Sequence, residues 1–128
     1  MGNTFSSKSI ANHDDVKNTN GILIHIMDKK QTALIHGTIS ADTEEEAINA
    51  AIDKNEYDKH IIVYGKNTQD IEKLVEKRKQ LVSLGFKHVQ IYIGGMFEWA
   101  LLQDVYGSKE FPIQGTKSPV DPMNFYGA

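Results

Sequence analysis

The stretch HIIVYGKNTQD, residues 60–70, decides the fold of this chain. Its first part, HIIVYG, is a nearly continuous apolar run, which is typical of a central parallel strand covered on both faces. From Asp70 onward, apolar residues recur at helical spacing until Gly85, where the helix should end. Gly65 therefore stands between a buried strand and a helix, where many α/β proteins hold a catalytic loop.

Strands and helices also alternate on both sides of this stretch. The other predicted strands are ILIHIM (residues 22–27), TALIHGTI (32–39) and KHVQIYI (87–93). The segment SADTEEEAINAAIDK predicts a helix in which Thr43 and Glu46 have capping-box spacing. The glycines at 94 and 95 turn the chain into a last amphipathic helix that ends near Gly107. This order predicts an α/β domain with a mostly parallel central sheet flanked by helices.

The composition of the 128 residues indicates one folded domain with a segment of different composition at each end. Residues 1–20 are polar with few apolar positions, so we expect a flexible N-terminal arm. Residues 21–107 carry the predicted strands and helices and form the folded domain. Residues 108–128 contain all three prolines. We expect these last residues to form an irregular tail on the surface.

The composition also excludes several kinds of function. The net charge of −3 and the interleaved acids and lysines give no long basic face, so a nucleic-acid partner is not expected. The chain has no cysteine, which removes disulfides, thiolate metal sites and cysteine nucleophiles. The five histidines lack metal-ligand spacing, so neither a metal site nor a cofactor is predicted.

The first residues, MGNTFSSK, match the pattern for N-myristoylation. After removal of Met1, Gly2 would offer the amine, and Ser6 has the required spacing. The alternative is an ordinary polar N-terminus. One myristoyl chain holds a protein to membranes only weakly, and Lys8 and Lys17 do not make a polybasic cluster in the sequence. With no apolar run of about 18 residues and no signal peptide, the sequence predicts an intracellular protein, cytoplasmic or in membrane contact through Gly2.

The second half of the chain is similar to a known family. IIVYG, the loop after it, a helix and LGFKHVQIYIGGMFEW (residues 84–99) together resemble the rhodanese-like domain over roughly residues 21–107. The matching residues are Leu84, Gly85, Phe86, Val89, Gly94, Gly95 and Trp99. In that family the strand ends in the active-site cysteine, and the following loop turns its amides toward the sulfur.

Gly65 occupies the position of that cysteine. The resemblance therefore implies a rhodanese-like fold that lacks the nucleophile for sulfur transfer. The former active-site loop would consist of Gly65, Lys66, Asn67, Thr68, Gln69 and Asp70. We interpret Gly65 as keeping a tight turn, and we predict Asn67 or Thr68 as the N-cap of the next helix. Asp70 stands where the family's loop is often basic, and its carboxylate would repel anions.

Two functions follow from this loop. The first is a catalytically inactive binding or scaffolding module with an unidentified protein partner. The alternative is an enzyme or small-anion-binding protein that uses Lys66 or Thr68 at the helix N-terminus. The two stretches that carry the resemblance also look similar to rhodanese-like proteins encoded by large DNA viruses of eukaryotes. That likeness would fit a myristoyl group added by a host enzyme, and it would allow a place in the virion.

The last helix offers a second candidate surface. Its large side chains, Met96, Phe97, Trp99 and Tyr106, are of the kind that anchor protein interfaces. The alternative is that they pack the helix against the sheet. Phe97 and Trp99 cannot face the same way on one helix, so one of the two should be partly exposed.

Overall fold

The computed structural model describes residues 7–116 and 118–127 of the chain. The strands are β1 (Ile22–His25), β2 (Leu34–Ile35), β3 (His60–Tyr64), β4 (His88–Tyr92) and β5 (Ile113–Gln114). The α-helices are α1 (His13–Asn18), α2 (Ala41–Asp53), α3 (Ile71–Ser83) and α4 (Gly95–Tyr106). Three short 3-10 helices are Ser7–Ser9, Thr68–Asp70 and Pro122–Phe125.

The main sheet has three parallel strands in the order β1-β3-β4. The prediction of a mostly parallel central sheet flanked by helices is therefore confirmed. On the central strand β3, all residues from Ile61 to Tyr64 are buried. Successive side chains alternate between the two faces of a strand, and both faces are covered here. The apolar run in the sequence follows from this double burial.

Each face of the sheet has its own core. On one face, Ile61 and Val63 lie with Leu74 and Leu81 of α3. The residues on the other face include Ile62, Tyr64, Met96, Trp99, Phe111 and Phe125. The second core joins α4 to residues from both ends of the chain. The sheet therefore divides the molecule into two layers.

The strand predicted at residues 32–39 is much shorter in the structure. The one strand formed there is β2, which pairs antiparallel with β5 in a separate two-stranded sheet, while Thr38 makes an isolated parallel bridge to Leu23 of β1. The chain then turns back, because the Thr38 amide and hydroxyl both donate to the Ile35 carbonyl, at 3.0 Å and 2.6 Å. The buried Tyr64 hydroxyl closes this turn by accepting from the Ile35 amide at 3.0 Å and lying 2.8 Å from the Thr38 hydroxyl. Burial raises the pKa of Tyr64, which keeps the phenol neutral.

The predicted helices are present, with one difference in capping. Helix α2 begins at Ala41 after Ser40, so Thr43 lies inside its first turn and donates its hydroxyl to the Ser40 carbonyl at 3.1 Å. The predicted capping box between Thr43 and Glu46 is therefore wrong. Gly85 and Gly107 follow α3 and α4 with φ of 112° and 99°, in the left-handed region that favours glycine at helix ends.

The described part of the N-terminal segment differs from the expected flexible arm. Helix α1 begins with a capping box between Asn12 and Asp15. Ala11 and Val16 are buried in the core, and the Ala11 amide donates to the Ile91 carbonyl at 2.8 Å. The few apolar residues of this segment are placed so that they contact the sheet. Residues 1–6 lie outside the described part of the chain.

The tail also differs from the irregular surface segment that the sequence predicted. The tail contains β5 and, after it, a 3-10 helix. Phe111, before β5, and Phe125, in the 3-10 helix, are both buried. Gln103 of α4 holds the tail at two points. Its Nε2 donates to the Phe111 carbonyl at 3.0 Å, and its Oε1 accepts from the Val120 amide at 3.2 Å. Two aromatic anchors and one buried amide thus fix a segment that its prolines marked as irregular.

We expect Phe125→Ala to lower the free energy of unfolding by about 3 kcal/mol, because it removes a buried ring from the core. Met123→Ala is the matched control, since Met123 lies in the same 3-10 helix and is 63% exposed. Urea denaturation followed by circular dichroism measures both variants. Equal stabilities would contradict the packing of the tail into the core.

Candidate functional site

The candidate site is the loop at the carboxyl end of β3. Gly65 is buried directly after the strand, and the 3-10 helix Thr68–Asp70 leads into α3. Asn67 caps this turn, because its side-chain oxygen accepts from the Gln69 amide at 2.9 Å. Asn67, one of the two residues predicted to cap the next helix, therefore caps the 3-10 turn. The residue at the N-cap of α3 itself is Asp70, whose side chain makes no capping hydrogen bond.

The Asp70 carboxylate occupies the space beside Gly65. Its Oδ2 accepts from the Lys66 amide at 2.7 Å. A Cβ atom built on Gly65 would lie 2.6 Å from Asp70 Oδ2 and 2.9 Å from Asp70 Cβ, closer than real Cβ contacts. The space for a cysteine side chain is therefore already filled by an anion from the same loop.

This arrangement corrects the interpretation of Gly65 as a residue needed for a tight turn. The φ angle of Gly65 is not in the left-handed region, so its backbone conformation does not require glycine. What favours glycine is the close contact with the Asp70 side chain, which a larger residue would have to displace. The sequence indicated that Asp70 disfavours anions, but it could not show that the carboxylate itself occupies the cavity.

Three amides of the loop donate within the loop itself. Those of Lys66 and Gln69 donate to the side chains of Asp70 and Asn67. The Asp70 amide donates to the Asn67 carbonyl at 3.1 Å. An added anion would have to displace the Asp70 carboxylate to reach the Lys66 amide, and the two negative charges would repel each other.

Helix α4 begins directly against this loop. The amides of Met96 and Phe97 donate to the carbonyls of Gly65 and Lys66, at 3.0 Å and 2.9 Å. Gly95 makes this approach possible, because its φ is 62° and a Cβ atom there would lie 2.4 Å from the Gly65 oxygen. The first amides of α4 therefore stabilise the loop backbone.

The C-terminal tail covers the outside of the loop. The buried Asn67 side chain donates to the carbonyls of Phe125, at 2.8 Å, and Gly127. The rings of Phe97 and Tyr126 lie 5.8 Å apart beside it. A cavity of about 310 Å³ remains between loop, α4 and tail, and its lining residues are Asn67, Thr68, Gln69, Phe97, Tyr126 and Gly127.

We call the exposed rim of this cavity the loop–tail surface, defined by Thr68, Gln69, Phe97 and Tyr126. The contribution of the tail to this surface was not expected from the sequence. The aromatic pair Phe125 and Tyr126, near the end of an otherwise polar tail, was the signal that could have suggested an anchored segment.

Comparison with known proteins decides the family. The sequence model of the rhodanese-like domain matches residues 17–102, which is most of the chain. The chain belongs to the rhodanese-like domain family. No curated protein is detectably similar to it.

Solved structures of rhodanese-like domains share the fold. A crystal structure of the Alr3790 protein from Anabaena sp. is 20% identical, with a TM-score of 0.57, and the match covers 84% of this chain and 94% of that one. A solution structure of the rhodanese-like domain of Alr3790 is 19% identical, with a TM-score of 0.58, over 88% and 86% of the two chains. At these identities the likeness concerns the fold alone.

The second candidate surface of this rhodanese-like domain is only partly at the surface. Met96 and Trp99 are 0% and 2% exposed, so the prediction that they belong to a partner surface is wrong. They pack in the core beneath α4. Phe97 is partly exposed and Tyr106 is 63% exposed, so these two remain available for contact. The expectation that one of Phe97 and Trp99 would be partly exposed is confirmed.

Two further observations apply to the described residues alone. Within residues 7–116 and 118–127, no group of histidine and acidic side chains is arranged to hold a metal ion. In the same residues, no helix has both the length and the apolar character needed to cross a bilayer. Gly2, the candidate lipidation site, lies outside them.

We expect Gly65→Cys to give a thiol with a pKa above the ordinary value of about 8.5, because the neighbouring carboxylate disfavours the thiolate. Adding Asp70→Ala should lower that pKa by about one unit or more, since it removes both the charge and the close contact. The rate of iodoacetamide modification as a function of pH measures both thiols.

Gly65→Ala is the control for packing alone. It should lower the free energy of unfolding by about 1–3 kcal/mol, and Asp70→Ala should recover part of the loss. A low thiol pKa in the single cysteine variant would contradict the position of the Asp70 carboxylate.

Proposed function

We propose that this rhodanese-like domain does not transfer sulfur and acts as a binding or scaffolding module. The observation that carries the proposal is the Asp70 carboxylate in the space where a side chain on Gly65 would lie. Sulfur transfer in the family needs a thiolate held by loop amides, and the chain has no cysteine. The nucleophile and its binding space are both missing.

The same contacts favour the binding module over the small-anion alternative. An anion site at the start of α3 would need free loop amides. The amide of Lys66 donates to Asp70, and the amide of Gln69 donates to Asn67. Thr68 and Gln69 instead present exposed side chains toward the surface.

We place the contact with a protein partner at the loop–tail surface. Thr68 and Gln69 supply hydrogen-bonding groups, while Phe97 and Tyr126 supply adjacent aromatic rings. Aromatic groups beside polar ones are characteristic of protein interfaces. The cavity between them has room for an apolar side chain of the partner.

We also propose that Gly2 is myristoylated and that the module acts at a membrane. The support is the N-terminal sequence MGNTFSSK. The likeness to rhodanese-like proteins of large DNA viruses supports a viral origin and a place in the infected cell or the virion.

The binding proposal predicts that Thr68→Arg combined with Gln69→Arg abolishes capture of the partner, because two large charged side chains would block the surface. The control places the same two charges elsewhere, as Asn49→Arg with Gln80→Arg at exposed helical positions. Affinity capture from host cells with quantitative mass spectrometry compares both with the natural chain.

The control variant should retain the partner, and the purified natural chain should show no transfer of sulfur from thiosulfate to cyanide above background. Equal capture by both double variants would exclude the loop–tail surface as the contact. Turnover with thiosulfate would overturn the inactive module.

The lipidation proposal predicts a mass increase of about 210 Da, one myristoyl group, together with loss of Met1 when the chain is made in eukaryotic cells. Gly2→Ala is the control, because it removes the acceptor and leaves the rest of the chain unchanged. Intact-mass spectrometry reads out both. An unmodified mass for the natural chain would exclude myristoylation in that host.

A further inference from the structure

A basic groove lies at the opposite end of the sheet from the loop–tail surface. His60 and His88 begin β3 and β4, and they are direct neighbours in the parallel register. Beside them opens a cavity of about 550 Å³. Among the described residues its lining is Lys8, Ser9, Asp58, His60, Arg78, Lys87, His88, Val89 and Gln90. We call this cavity the amino-end groove.

The N-terminal segment is fixed at this groove by side-chain hydrogen bonds. Gln90 donates its Nε2 to the Lys8 carbonyl at 3.0 Å. The Gln90 oxygen lies 2.6 Å from His60 Nε2, and His60 Nδ1 lies 2.9 Å from the Thr19 hydroxyl. Gln90 and His60 thereby hold Lys8 next to the start of β4.

The charges of the groove are mainly positive. Lys8, Arg78 and Lys87 bring three cations, and Asp58 is the one carboxylate in the described lining. Arg78 is positioned by its Nε, which donates to the Val89 carbonyl at 2.8 Å. Lys87 and Asp58 are 3.9 Å apart and largely exposed, so their ion pair is weak and leaves the groove cationic.

We infer that the amino-end groove binds the anionic headgroups of a membrane leaflet. The inference rests on the proposed myristoylation of Gly2, because one myristoyl chain is a marginal anchor and needs a second signal. Gly2 is six residues before Lys8, so the extended chain between them spans at most about 21 Å. The lipid and the groove can therefore reach the same bilayer.

The groove supplies the second signal that the sequence did not show. Lys8 and Lys17 form no cluster along the chain, but folding brings Lys8 together with Arg78 and Lys87. Basic residues near an anionic leaflet each strengthen binding, and their effect is screened by salt. The structure thus places a cationic groove within reach of the lipid proposed on Gly2.

The test uses the full chain, myristoylated by co-expression with an N-myristoyltransferase, and sedimentation with two kinds of vesicle. One is phosphatidylcholine alone, and the other contains about 30% phosphatidylserine, which gives the leaflet its negative charge. We expect tighter binding to the anionic vesicles, and we expect this preference to fall as the salt concentration rises.

Lys8→Gln with Lys87→Gln should reduce binding to the anionic vesicles by about tenfold, because two cations leave the groove. Lys29→Gln with Lys109→Gln is the matched control, since both lysines are exposed and lie outside the groove. This control has the same net charge and should bind within about twofold of the natural chain.

Three outcomes would overturn the inference. They are equal binding to both kinds of vesicle, equal loss in the two double variants, and tighter binding of the groove to single-stranded RNA than to anionic vesicles at the same salt.

The unmodified Gly2→Ala chain separates this inference from the lipidation proposal. Its chemical shifts are followed by NMR during titration with a soluble short-chain phosphatidylserine. Chemical-shift changes confined to the groove residues would support the headgroup site even if the intact mass of the natural chain shows no lipid on Gly2. An absence of chemical-shift changes there would rule out the headgroup site and leave the myristoylation proposal unaffected.

Discussion

The hydrogen bond from the Lys66 amide to the Asp70 carboxylate organises the loop at the carboxyl end of β3. It draws the side chain of Asp70 inward, over Gly65, so that any side chain at residue 65 would have to displace it. It also uses an amide that the family turns toward its catalytic sulfur. The loop thus holds its own carboxylate against one of its amides.

The neighbouring contacts depend on that closed loop. Its carbonyls accept from the first amides of α4, and the side chain of Asn67 accepts from the loop on one side and donates to the tail on the other. The tail can therefore lie across a position that an active enzyme would keep open to its substrate. The filled space beside Gly65 and the fixed position of the tail both depend on hydrogen bonds of this one loop.

The sequence predicted the frame of the fold better than its edges. The apolar run of β3 and the helical periodicity of α3 are local patterns, and both were found in the structure. The segments on either side were wrongly expected to lack packing, because their burial depends on single residues such as Val16 and Phe125 that meet distant partners. A single buried residue creates no hydrophobic periodicity, so the sequence pattern cannot indicate its burial.

The candidate site shows the same limit. The missing cysteine and the position of the loop could be read from the sequence, and Asn67 was one of two predicted caps. The direction of the Asp70 side chain could not be read from the sequence, because it depends on which backbone amide donates to the carboxylate. The groove around Lys8 and Lys87 was also invisible, because these residues are far apart in sequence and meet only through the sheet.

The shared volume of Gly65 and Asp70 has a consequence for how this domain can evolve. A cysteine restored at position 65 by one substitution would meet the Asp70 carboxylate, which would crowd the thiol and oppose its ionisation. Removing the carboxylate alone would open a hole and free an amide without providing a nucleophile. Each single substitution at this pair therefore carries a cost that the double substitution avoids, so residues 65 and 70 are expected to change together.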